Sequence, residues 1–200
     1  RARAASRGPR TIERIVIHIT DGGSKLNGTV GWFQNPAAKV SSHYIVGRDG
    51  EIVQMVRHND VAWHANRANG TSIGIEHNAN TRGLNPTEPQ YRASARLVAW
   101  LCQQYGIPCD RDHVLGHSEA DPQTTHTDCP NAVWDWEVYM QMLSEESAAL
   151  TAVQSNGAAT QSYVKPLAAI DVRWDDVEPV YQPTGASCWA AAAAMVVGWR

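Results

Sequence analysis

Arg14-Ile15-Val16-Ile17-His18-Ile19-Thr20 is the stretch on which the fold turns. Ile15, Ile17 and Ile19 fall on one face of an extended segment, and Val16, His18 and Thr20 fall on the other, so it reads as a buried strand. Downstream comes a polar, glycine-rich stretch with Asp21, Gly22, Gly23 and Gly28, then Trp32, Phe33 and a loop broken by Pro36. Upstream, the basic opening from Arg1 to Arg10 reads as a solvated tail.

Further along, Ser41 to Gly47 and Glu51 to Val56 are β-rich runs joined by Arg48-Asp49-Gly50, a hairpin signal. Ser72 to His77 predicts another strand, with Ile73 and Ile75 on one face and Gly74 and Glu76 on the opposite one. Ala93, Leu97, Trp100, Leu101 and Tyr105 recur at three- and four-residue steps and predict a helix from Tyr91 to Tyr105, stopped by Gly106 with Pro108 beyond. A last helix is expected from about Val133 to Leu143. Residues 145–162 are mostly small and polar without a clear period, and read as a linker. A new apolar pattern starts at Tyr163, and no internal repeat is visible. The expected class is α/β, a mixed central sheet flanked by helices over residues 11–144, followed by a truncated second unit over 163–200.

The 200 residues suffice for one good-sized domain or one domain and part of another. A net charge of -3 supplies no field toward nucleic acid or anionic membranes. No run approaches the ~20 apolar residues of a membrane span; the longest run of small apolar residues is Cys188 to Val197. The chain begins with Arg1 and ends at Arg200 inside an apparent helix, so both ends read as cut and the missing signal peptide decides no compartment. Eight tryptophans against one phenylalanine are a weak hint of carbohydrate contact. Of four cysteines, Cys129 and Cys188 have chemical readings, given below, and Cys102 and Cys109 remain as either a disulfide or two free thiols.

Three potential zinc ligands lie in separate segments: His18 at the end of the first strand, His117 in Leu115-Gly116-His117-Ser118-Glu119, and Cys129 in His126-Thr127-Asp128-Cys129-Pro130. Two imidazoles and a thiolate suit Zn2+, and three protein ligands leave a fourth position for water. His126 and Asp128 are also capable ligands, and chemistry alone leaves that choice open.

Six pieces, in this order, carry a resemblance: Ile15-Val16-Ile17-His18; Ser42-His43-Tyr44-Ile45-Val46 with Arg48-Asp49-Gly50; Ala62-Trp63-His64-Ala65; Ser72-Ile73-Gly74-Ile75-Glu76; Gly116-His117-Ser118; and Thr127-Asp128-Cys129-Pro130. Together, over about Ile12 to Leu143, they resemble the zinc-dependent N-acetylmuramoyl-L-alanine amidases, a family that includes phage amidase lysozymes and animal peptidoglycan recognition proteins. The resemblance implies hydrolysis of the amide between N-acetylmuramic acid and L-alanine in peptidoglycan or muropeptides, with an extracellular or cell-envelope location favoured. It implies His18, His117 and Cys129 as zinc ligands, Cys129 being preferred to Asp128 because Pro130 directly follows it. Glu76 takes the catalytic position as general base and then acid. Two departures stand out: Thr127 stands where some members have a lysine that helps stabilise the oxyanion, and Ser42 stands where other members have a tyrosine. Thr127 offers a hydroxyl donor without charge, so its contribution is expected to be smaller. His43, Trp63, His64 and Asn78, with Asn80, are expected to meet substrate, structural packing being the alternative for Trp63. The rival reading is a non-catalytic peptidoglycan-binding module that targets an attached cysteine peptidase.

The second unit carries Gln182-Pro183-Thr184-Gly185-Ala186-Ser187-Cys188-Trp189. A glutamine six positions before a cysteine that opens an apolar helix resembles papain-like cysteine peptidases, with Cys188 as nucleophile and Gln182 in the oxyanion hole. The alternative is a buried cysteine in an alanine-rich core helix. All eight histidines precede Cys188, so the segment reads as the opening of such a domain without its base.

Overall fold

The computed structural model describes residues 4–9 and 11–157, with side chains to 152. The second unit, including Gln182 and Cys188, lies outside the described residues. In chain order the elements are β1 (Ala4–Ser6), β2 (Arg14–Ile19), α1 (Leu26–Gln34), β3 (Tyr44–Val46), β4 (Ile52–Gln54), β5 (Asp60–Ala62), β6 (Ser72–His77), α2 (Glu88–Tyr105), β7 (Val114–Gly116), α3 (His117–Ala120) and α4 (Trp136–Gly157). Short 3-10 turns span Pro36–Ala38 and Asn66–Thr71.

The expected first strand lies inside the sheet, between β6 at its centre and β7 at its edge. The order is β4-β3-β6-β2-β7, with β2 parallel to both β6 and β7. Its two-sided burial follows from this place: Ile15, Ile17 and Ile19 join Ile73, Ile75, Val98 and Leu101 in the main core, while Val16 packs with Ala65 and Ala68 on the other face. The fold is therefore the mixed α/β sheet with flanking helices that the sequence predicts. α2 starts one turn earlier than its apolar period, at Glu88, because the Thr87 hydroxyl accepts the Gln90 N–H and Pro89 occupies the first turn. Gly106 ends it in the left-handed conformation, φ 65°.

Four expectations are corrected. The run from Ser41 pairs as a strand only over Tyr44–Val46. The stretch around Trp32 and Phe33 is helical, because Phe33, Leu26 and Val30 pack on Ile45, Met55, Val56 and Ala62. The last helix runs through to Gly157, so 145–157 is helix rather than linker. Alanine, leucine and glutamate favour helix there, Leu150 packs on the core, and Glu146 pairs with Arg96 of α2 at 3.1 Å. Among the described residues of the basic opening, 4–9, the chain is no free tail: β1 pairs antiparallel with β5, and Arg7 is 3% exposed. Its guanidinium donates to the carbonyls of His58 and Gly70 at 2.8 Å, Ser72 at 3.0 Å and Asp60 at 3.2 Å. Such an arginine ties together backbone carbonyls from several separate segments, and no local pattern announces it.

Candidate active site

The carboxyl ends of three parallel strands build the site, as in open α/β sheets generally. Parallel register sets His18 of β2 directly beside Glu76 of β6, so both side chains leave the same face. On the other side Ile17 pairs with Gly116, and the chain turns into α3 at His117, bringing the two imidazoles to 4.6 Å between ring centroids. Cys129 arrives on the loop between α3 and α4. Its sulfur accepts the Ile19 N–H at 3.4 Å and lies 3.8 Å from His18 Nδ1. The ligand-capable atoms of His18, His117 and Cys129 all lie within 4.8 Å of one another, and they form the only such group of three among the described residues. His126 stacks on His117 at 5.5 Å, and Asp128 lines the cleft, but neither belongs to that group.

These residues open on a cleft of about 960 Å³, also lined by Asp21, Lys25, Trp32, Val40, Trp63 and Thr127. That volume is at the upper end for small-ligand sites. Burial lowers the pKa of His18, His64 and His117, so each is neutral near pH 7 and keeps a lone pair. Burial pushes the Cys129 thiol up to about 12 and the Glu76 carboxyl to about 8. Glu76 Oε2 is buried without a hydrogen-bond partner in the described structure. Two neutral imidazoles, a thiol and an orphaned carboxyl oxygen around one opening are the donor chemistry of a zinc site with room for water.

The other expected residues divide. Trp63, 39% exposed, stands on the cleft wall. His64 also borders the cleft, but both ring nitrogens are engaged, Nδ1 with His18 Nε2 at 2.9 Å and Nε2 with Ser72 Oγ at 3.2 Å, which leaves none for substrate. His43 does not flank the groove. It is fully buried, its Nδ1 accepting the Gly74 N–H at 3.0 Å and its Nε2 lying 3.1 Å from the Asp60 carbonyl. Asn78 is likewise withdrawn, its amide donating to the Gly23 carbonyl at 3.1 Å and Thr29 Oγ1 at 2.7 Å. Asn80 donates to the Gly22 carbonyl at 2.8 Å. Both asparagines hold the glycine-rich loop from beneath. Ser42 spends its hydroxyl inside the sheet, on the Gly74 carbonyl at 2.7 Å. Trp32, 58% exposed on the cleft, is absent from the sequence-predicted set. Its only signal is its place just after the glycine-rich stretch that follows β2. Cys102 and Cys109 are free thiols that share a hydrogen bond away from the cleft.

Comparison with known proteins places the fold and the sequence in a family. Residues 8–132 match the family model described as N-acetylmuramoyl-L-alanine amidase. N-acetylmuramoyl-L-alanine amidase A of Achromobacter lyticus is 32% identical over 148 residues, which are 65% of this chain and 82% of that protein. The 1,6-anhydro-N-acetylmuramyl-L-alanine amidase AmpD of Escherichia coli (strain K12) is 35% identical over 117 residues, 54% of this chain and 61% of that one. A crystal structure of an AmpD selenomethionine derivative superposes with a TM-score of 0.56 at 25% identity, covering 70% of this chain and 89% of that one. The order of motifs, the sheet and the matched span agree, and the chain belongs to the N-acetylmuramoyl-L-alanine amidase family of peptidoglycan-hydrolysing enzymes.

Proposed function

We propose that this chain hydrolyses the amide joining N-acetylmuramic acid to L-alanine in peptidoglycan or its muropeptides, with zinc held by His18, His117 and Cys129. The observation that carries this reading is the meeting of those three ligand atoms within 4.8 Å, on the rim that also holds Glu76. Zinc, when bound, supplies Lewis-acid polarisation of the carbonyl and a more acidic water. The chain's own residues supply the rest. Glu76 takes a proton from the attacking water on a carboxylate oxygen and returns it to the departing alanine nitrogen. A proton affinity raised toward neutrality by burial suits both halves of that exchange. Thr127 lies on the cleft wall and offers a neutral donor to the developing oxyanion. Trp63 and Trp32 present indole faces on which a sugar ring can stack. Residues 11–144 would form the amidase domain.

Mass spectrometry of products from defined muropeptides, with metal content measured on the same sample, tests this. Release of the free stem peptide by a zinc-loaded sample is expected, and cleavage elsewhere or full activity without metal would overturn it.

A further inference from the structure

Behind His18 a chain of hydrogen bonds ends on a backbone carbonyl. The Ser72 hydroxyl donates to the Ala68 carbonyl at 2.7 Å, which uses its single proton. At the next contact, 3.2 Å away, Ser72 can then only accept, so His64 carries its proton on Nε2. A neutral imidazole protonated there has a bare Nδ1, and that atom meets His18 Nε2 at 2.9 Å. His18 must therefore donate from Nε2, leaving its Nδ1 lone pair turned toward Cys129 Sγ. The opposite wiring would put a proton on His18 Nδ1, where a metal has to bind, and would take the Ser72 hydroxyl away from the Ala68 carbonyl.

The fold holds this wiring in place. A Cβ at Gly74 would lie 2.5 Å from His64 Cγ and 2.6 Å from its Nδ1, so the imidazole rests directly on the bare backbone of β6. The Asn69 side-chain oxygen accepts the backbone N–H of both His64 and Ala65, at 3.0 and 2.6 Å, fixing the segment that carries the ring.

We infer that His64 and Ser72 are positioning residues that set the tautomer of His18, relaying the fixed polarity of the Ala68 carbonyl to the metal-binding nitrogen. The inference rests on the zinc reading above and assigns His64 to the ligand rather than to substrate. A histidine ligand whose second nitrogen is anchored is oriented and more basic, and loss of such an anchor typically weakens metal binding by about ten- to a hundredfold.

The test starts on the full chain without metal, by long-range nitrogen-15 NMR of the histidine rings. Nε2-protonated tautomers are expected at both His64 and His18, and a proton on His18 Nδ1 would overturn the inference without any variant. Zinc affinity by chelator competition is the second readout. His64→Leu fills the space but offers no acceptor, and should bind zinc about ten- to a hundredfold more weakly. His64→Asn places an amide oxygen near the lost Nδ1 and should recover most of that affinity. If the ring served packing alone, the bulkier leucine would do at least as well as asparagine, and that order would overturn the inference. A wild-type chain that bound no zinc would instead remove the zinc reading and leave the tautomer result standing.

Discussion

His77 and His117 differ in how their ring nitrogens are used. At His77 both are engaged, Nδ1 with the His18 carbonyl and Nε2 with the Ser94 hydroxyl, each at 2.8 Å. At His117 only Nε2 is engaged, 3.2 Å from Thr124 Oγ1, and Nδ1 has no hydrogen-bond partner among the described residues. His43 follows the first pattern, saturated by Gly74 and Asp60. His18 follows the second, its Nε2 tied to His64 and its Nδ1 facing only the Cys129 sulfur. All four are withdrawn from solvent, so burial does not separate structure from chemistry here. A saturated imidazole cross-links the sheet, whereas one with a spare lone pair beside sulfur is built to bind something.

The contrast can be broken in several ways. The largest effect is expected at Glu76: Glu76→Gln should keep zinc stoichiometry while turnover on muropeptides falls by about 10²–10⁴-fold. Unchanged turnover would remove the carboxyl from the mechanism. Next, Cys129→Ser should weaken zinc binding in calorimetry by more than roughly a hundredfold, beyond the usual loss of an outer partner, while Asp128→Asn changes it little. The reverse order would move the third ligand to Asp128.

A pH series on metal-free protein sharpens the contrast from the stability side. Because burial raises the Glu76 carboxyl from 4.5 to about 8, the folded state binds more protons than the unfolded one between those values. Stability therefore falls as pH rises through that window. Glu76→Gln should melt with wild type at pH 5 and above it at pH 9, by up to a few kcal/mol. Equal melting at both pH values would contradict the burial of a lone carboxyl. The smallest effect is expected at the saturated class: His77→Gln should lower unfolding free energy by about 1–3 kcal/mol in denaturant, with zinc affinity unchanged. Lost zinc binding there would erase the distinction between the two kinds of histidine.

The strand β2, its partner at Ser72–His77 and α2 are legible because each writes its burial into a local period of two or three to four residues. The six motif segments also announce the cleft, and His18, His117, Cys129 and Glu76 meet there. The duties of His43, Asn78 and His64 were not legible. Whether their polar atoms are free depends on Gly74, Gly23 and His18, which lie 31, 55 and 46 residues away and leave no mark on the neighbouring sequence. Residues 145–157 misled for a different reason: their helix is held by ion pairs and propensity, with little apolar period to read.

Arg7 couples the start of the chain to its middle. Its contacts reach residues 43, 58, 60, 70 and 72, between 36 and 65 positions downstream. During synthesis from the N-terminus, the guanidinium cannot complete this set of contacts until residue 72 has left the ribosome. The β1–β5 ribbon thus cannot be locked by Arg7 until the chain has been made as far as the start of β6, so its closure waits on the middle of the domain rather than on its own hairpin neighbours.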